Sequence, residues 1–241
     1  MLKRKLNTSL VIALLAISNF SCSLITNCTE GEGIAIEKEI SIEHFDKIDL
    51  NGPYNVYLAQ GEEQNVVVKT QPNLIDLINT DISRGKWKID FKPCVQSDEE
   101  ISIYITLPEL THLLINGSGS IYTTQQFKAN KLALEINGSG DMELAIEVKE
   151  LQTKIKGSGN LLISGITKKH KIDVDGSGDI DAFELESAES DININGSGDV
   201  KVDVSYSLNA KVNGSGDVYY KGSVKEIQSK INGSGQLKQA N

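Results

Sequence analysis

ININGSGDVKV, residues 192–202, sets a Gly-Ser-Gly tripeptide between two runs in which apolar and polar residues alternate. The same tripeptide occurs seven times, starting at Gly117, Gly138, Gly157, Gly176, Gly196, Gly214 and Gly233. Successive copies lie 21, 19, 19, 20, 18 and 19 residues apart. A near-constant period of this length means stacked units, each of which can bury its apolar face only against its neighbours.

The residues ahead of each copy choose strand over helix. Leu132, Leu134 and Ile136 fall at every second position, as do Ile172 and Val174, Ile192 and Ile194, and Leu208, Ala210 and Val212. Period two with β-branched residues is a strand signal, and no stripe at three and four competes with it. The alternation also runs through the tripeptide. Counted by twos from Ile192 it gives Ile194, Gly196, Gly198, Val200, Val202 and Val204. Both glycines keep the inward parity, and Ser197 points out. This predicts a sharp corner with no room inside for a side chain. The inner positions are Gly117 and Gly119, Gly138 and Gly140, Gly157 and Gly159, Gly176 and Gly178, Gly196 and Gly198, Gly214 and Gly216, and Gly233 and Gly235.

One strong corner per unit predicts an all-β fold, a single-stranded parallel β-helix with about 19–20 residues per rung. Rungs would stack at roughly 4.8 Å, with the right-handed sense that parallel connections favour. An antiparallel meander would need an equally strong second turn. The segments opposite the tripeptides, such as ITKKH and ELESAES, are irregular and read as longer corners that tolerate charge.

Residues 113–241 carry the regular array, and residues 34–112 read as an irregular cap. DLNGPYNVYLAQGE, residues 49–62, is a damaged copy with Gly52-Pro53-Tyr54 at the corner. QPNLIDLI has helical spacing at Leu74, Leu77 and Ile78, while GKWKIDFKP and EISIYITLP read as strands. A cap is needed because an open end exposes apolar core and strand edges.

The N-terminus reads as an export signal. MLKRK is positively charged, LVIALLAI (residues 10–17) is a short apolar run, and NFSC resembles a loose lipoprotein cleavage box. Residues 1–21 would then be removed, Cys22 acylated, and residues 22–33 left as a tether. Ordinary cleavage near Ser21 or Ser23 is the alternative. With Cys22 lipidated, Cys28 and Cys94 remain as a pair that could join in an oxidising compartment. Losing Lys3, Arg4 and Lys5 with the signal takes the net charge from −9 to −12. Such a surface repels nucleic acid.

Stacking would align equivalent outward residues. Asn116, Asn137, Lys156, Asp175, Asn195, Asn213 and Asn232 precede the first glycines and suggest an amide ladder. Asp141, Asp179, Asp199 and Asp217 follow the second glycines and form a candidate polar ladder. Calcium would suit stacked carboxylates, and hydrogen bonds to backbone amides would suit them too. His44, His112 and His170 are scattered, so no metal or cofactor set and no catalytic constellation is expected. Tyr54, Tyr57, Tyr104, Tyr122, Tyr219, Tyr220 and Trp87 could give an outward aromatic row or pack laterally.

Repeated INGSGD, FDKIDLNGPYNVYLAQGEEQNVVV, ISIYITLPELTHLLINGSGSIY and AKVNGSGDVYYKG resemble the head GIN domain family over roughly residues 34–238. Lys156 and the Pro53-Tyr54 pair depart from its pattern. The resemblance implies a β-helical, secreted or lipid-anchored protein of the kind common in Bacteroidetes, named for adhesion and carrying no catalytic residues. The expectation is a non-enzymatic envelope lipoprotein, exported and anchored in the outer membrane by lipid alone, binding a protein or glycan ligand. A periplasm-facing structural or sensing lipoprotein and a carbohydrate-active β-helix enzyme are the alternatives.

Overall fold

The computed structural model describes residues 28–240, so Cys22 and the signal segment lie outside the described residues. The chain begins with β1 (Thr29–Glu30), β2 (Ile36–Glu39), β3 (Lys47–Asn51), β4 (Asn55–Gln60) and β5 (Asn65–Thr70). A one-turn helix, α1 (Pro72–Ile75), is followed by β6 (Ile82–Ser83), β7 (Lys86–Ile89), β8 (Val95–Gln96) and β9 (Ser102–Leu107). Next come β10 (His112–Gly117), β11 (Ser120–Thr123), β12 (Phe127–Gly138), β13 (Asp141–Gly157) and β14 (Leu161–Gly176). The chain ends with β15 (Ile180–Gly196), β16 (Val200–Gly214), β17 (Val218–Lys221), β18 (Glu226–Gly233) and β19 (Leu237–Gln239).

The alternation dictates the core. β12 to β16 pair in parallel, each one period above the last, so that Ile136, Ile155, Val174, Ile194 and Val212 form one inward column. Every member of it is buried. Gly138, Gly157, Gly176, Gly196 and Gly214 form the matching column at the corner. All strands but β1 and β8 belong to one continuous sheet, which is a β-solenoid.

The second corner, expected to be longer and tolerant of charge, is built within the sheet itself. Pairing runs straight through it, with Val148 opposite Thr167 and Glu150 opposite Lys169. Parity slips where Lys149 and Glu150 are exposed in succession, as do Lys168 and Lys169 one rung on. The turn is made inside a continuous ladder, and the extra residues of ELESAES are absorbed as register shifts between Ala182 and Glu186 and between Ser187 and Glu189.

Stacked rungs also extend below residue 113. β3 and β4 lie in register under β10 and β11, with Leu50 opposite Ile115 and Val56 opposite Ile121. β7 and β9 lie under them in turn, with Ile48 opposite Trp87 and Val56 opposite Ile103. The damaged copy is therefore a true rung. Its neighbours are out of chain order, because the chain drops from β4 to the rung below and then returns above at β10.

The crossing segment closes this end: β5 runs antiparallel to β9, and β2 antiparallel to β5. The helix expected through Ile78 stops at Ile75, and Ile78 forms an isolated bridge with Phe91. Trp87 is fully buried against Phe45, and its Nε1–H donates to the Asn79 carbonyl at 2.7 Å. Cys28 and Cys94 are joined as a disulfide, which fastens β1 beside the rung of β7 and β9.

The corner is tight enough to test. A Cβ on Gly198 would fall closer than 3.0 Å to the Gly178 carbonyl oxygen and 3.2 Å from Val174 Cγ1. The first contact is backbone and cannot move aside. Gly198→Val is expected to cost about 3 kcal/mol or more by overpacking. Ser197→Val, beside it on the outer face, should stay within about 0.5 kcal/mol. Urea denaturation measures both, and a neutral Gly198→Val would remove the steric explanation of the corner.

Candidate functional site

The Gly-Ser-Gly edge carries a rung-to-rung hydrogen bond at every step. At each step the carbonyl of a first glycine turns toward the rung above. Gly157 O accepts from the N–H of Ser177 at 2.8 Å and of Gly178 at 3.1 Å, and Gly176 O accepts from Ser197 N–H at 2.9 Å. The first glycine bends with φ near +146° at Gly196, a region that side-chain-bearing residues avoid.

The Asn column forms a rung-to-rung amide ladder in two pieces. In the upper piece Asn232 donates to Asn213 at 2.9 Å, Asn213 to Asn195 at 3.0 Å, and Asn195 to the Asp175 carboxylate at 2.9 Å. In the lower piece Asn137 donates to Asn116 at 3.1 Å, and Asn116 to Asp49 at 2.7 Å. Lys156 separates the two. Its ammonium pairs with Glu135 at 3.0 Å instead of donating down the column. The Asn137 Oδ1 atom is consequently buried without a hydrogen-bond partner.

The Asp column also works between rungs. Asp141 Oδ1 accepts from Asn160 N–H at 3.0 Å, Asp179 Oδ1 from Asp199 N–H at 2.8 Å, and Asp199 Oδ1 from Asp217 N–H at 2.7 Å. Asp217 Oδ1 accepts from Gln236 N–H at 2.8 Å, while its Oδ2 meets Lys238 and the Tyr219 hydroxyl. The hydrogen bond from Lys238 holds the Asp217 carboxyl below its ordinary range. One oxygen of each of these aspartates thus serves the backbone of the next rung. Among the described residues no group of three or more His, Cys, Asp and Glu side chains could hold a metal ion.

Two further features are only partly legible along the chain. Tyr104, Tyr57 and Tyr122 stack on three neighbouring rungs, with ring centroids 5.1 and 5.3 Å apart and planes within 19°. Their signal is the shared pattern of SIYITL, NVYLAQ and SIYT, visible only once the out-of-order rungs are known. The second is a polar seam inside the second corner. His170 is buried there in the column that runs from Leu132 and Leu151 below it to Ser190 and Leu208 above it, and its Nε2 lies 3.0 Å from Thr153 Oγ1. Ser187 and Ser190 bond each other at 3.0 Å on the next rung. His44 and His112 lie apart from this seam. On the outer surface of the same corner, Pro108, Leu110, Ala129, Val148 and Ile166 line a groove of about 840 Å³, with Lys149 and Lys168 at its rim.

A parallel β-solenoid whose outward side chains form rung-to-rung ladders is the class that this geometry defines. The family described as "Putative auto-transporter adhesin, head GIN domain" matches residues 44–224, and the chain belongs to it. Solved structures share the fold. A "putative adhesin" from Bacteroides fragilis NCTC 9343 is 21% identical with a TM-score of 0.82, over 88% of this chain and 99% of its own. A "putative lipid binding protein" from Parabacteroides distasonis ATCC 8503 is 26% identical with a TM-score of 0.73 over the same shares. A "putative adhesin" from Parabacteroides merdae ATCC 43184 is 22% identical with a TM-score of 0.70, again over 88% and 99%. No curated protein matches the sequence.

Two tests follow from these side chains. Lys156→Asn would give Asn137 Oδ1 a donor while losing only an exposed ion pair worth about 0–1 kcal/mol. An unsatisfied buried acceptor costs about 1–3 kcal/mol, so a net gain of roughly 0.5–1 kcal/mol in urea denaturation is expected. A loss would show that the ion pair outweighs the ladder.

The second test is pH. Burial pushes the His170 imidazole down to about 3. The unfolded chain takes up this proton near its ordinary value of about 6.5, and the folded chain does so only near 3. Stability from His170 is therefore fully present above about pH 6.5 and falls as pH drops toward 3, by at most about 1.4 kcal/mol per unit. Between pH 6 and 4.5 the wild type should lose about 2 kcal/mol more than His170→Gln. Equal losses would place the imidazole in contact with water.

Proposed function

We propose that the chain is a non-enzymatic binding scaffold of the cell envelope, exported by residues 1–21 and held to the outer membrane by acyl groups on Cys22. Residues 22–33 serve as the tether, and a protein or glycan is the ligand. The observation that carries this reading is the in-register Asp and Asn edge, whose rung-to-rung hydrogen bonds hold like groups at one fixed spacing along the solenoid. A rigid row of identical groups suits many weak contacts, because binding one group raises the effective concentration of the next. Chemistry at one point would need a nucleophile or acid set apart from its copies by a base or a perturbed partner. The repeated serines instead stand in equivalent corners. Membership of an adhesin-named family points the same way.

Protease treatment of intact cells tests the reading, with the solenoid detected before and after the outer membrane is disrupted. Loss from intact cells is expected. Protection until the membrane is broken would end the adhesive reading and favour a partner inside the envelope. A Cys22→Ser chain should leave the membrane fraction, and its retention there would rule out the lipid anchor.

A further inference from the structure

The two ends of the solenoid are finished differently. At the N-terminal end the antiparallel strands β5 and β2 cover the edge of β9. At the other end the last rung consists of β18 and β19, which pair only with the rung below, through β16 and β17. Among the described residues no strand covers their upper edge.

That edge has a definite chemistry. Ser234 N–H donates downward to Gly214 O. Ala133, in the column that leads to Gln228, likewise donates downward, to Thr111 O. Backbone groups alternate along a strand, so Ile227, Ser229 and Ile231 turn their N–H and C=O groups toward the free edge. Their side chains continue inward columns, Ile227 above Leu208 and Ile231 above Val212. Leu208 and Val212 are buried, whereas Ile227 is 44% exposed and Ile231 only partly covered. Charges at Glu226 and Lys230 lie on the outward parity and do not block the edge from within.

We propose that this edge is an interface for a second copy of the chain, β18 pairing antiparallel with β18 about a two-fold axis at Ser229. In an antiparallel pair the residues that exchange both hydrogen bonds stand directly opposite each other. Edge-facing residues must therefore oppose edge-facing residues. With Ser229 opposite Ser229 of the second copy, Ile227 opposes Ile231 and Ile231 opposes Ile227. On the outer face Gln228 opposes Lys230 and Glu226 opposes Asn232, so no like charges meet. A shift of two residues sets the isoleucines against Ser229 and Gly233 in one direction, and against Ser229 and Lys225 in the other. One such shift would match Glu226 with Lys230, but an exposed ion pair is worth less than burying two isoleucine pairs. The contact is self-complementary, as a two-fold interface requires, and it closes without forming a fibre. If the other end is anchored through Cys22, which rests on the reading above, this edge is the tip farthest from the membrane.

Sedimentation velocity and light scattering of the unlipidated chain from residue 23 onward test the pairing without reference to the anchor. A dimer is expected for the wild type. Ser229→Pro removes an edge-facing N–H and spares the bonds to β16, so a monomer with an unchanged melting temperature is expected. Ile227→Lys should also give a monomer, and it decides the matter if the proline variant does not fold. Ser229→Cys should cross-link to itself on mild oxidation, because opposed residues in such a pair lie about 5.5 Å apart, within disulfide reach. A wild type that stays monomeric up to the solubility limit would overturn the proposal. So would a dimer that survives both substitutions, or one in which Ser229→Cys does not cross-link.

Discussion

The carbonyl of the first glycine at each corner is the point on which the structure depends. It accepts from the serine N–H of the rung above and, at most steps, from the second glycine N–H as well. Neither donor could come so close past a Cβ, and the first glycine's φ would strain any side chain there. The bond fixes the height between rungs and their lateral register together. From that single constraint the inward columns fall into line, and so do the outward ladders.

In-register stacking brings like residues together, which favours some and penalises others. Asparagines gain, since each amide both donates and accepts. Aspartates at this spacing would repel, and the chain offsets this by giving one oxygen of each to a backbone N–H. Individual bonds on so exposed an edge are worth about 1 kcal/mol or less, while each fully buried aliphatic side chain contributes about 1.5–3 kcal/mol. The polar edge therefore sets the geometry, and the columns of isoleucine, valine and leucine supply most of the stability.

Much of this was legible before any coordinates. Parity carried through Gly196 and Gly198 distinguishes a corner from a linker, and the period of the tripeptides reports one corner per rung. The out-of-order rungs of β3, β4, β7 and β9 were not legible, because periodicity records the order of units along the chain and not in space. Which tyrosines of the possible aromatic row stack was hidden for the same reason. His170 was unreadable as a core residue: its place in the inward column depends on the parity slip at Lys168 and Lys169, and nothing in ITKKH marks where the slip occurs. The second corner was legible as a longer, charge-tolerant corner, but not as a continuous ladder, because irregular length hides the pairing that runs through it. Counting left Cys28 and Cys94 as a pair that could join, but neither the bond itself nor its location beside β8 was legible.

The solenoid thus has one stiff side and one adaptable side. At the Gly-Ser-Gly edge every step repeats the serine N–H to glycine carbonyl bond, so a change in one rung would have to propagate to its neighbours. At the second corner the register shifts, rung lengths vary, and Thr153, Thr167, His170, Ser187 and Ser190 take places that aliphatic residues could fill. Buried polar pairs of that kind tolerate variation in the backbone better than close-packed methyl groups do, because a hydroxyl can rotate to follow its partner. The variation from 18 to 21 residues per unit is accommodated there, while the glycine columns stay aligned. A molecule that must present one invariant edge can then vary its rung length without disturbing that edge.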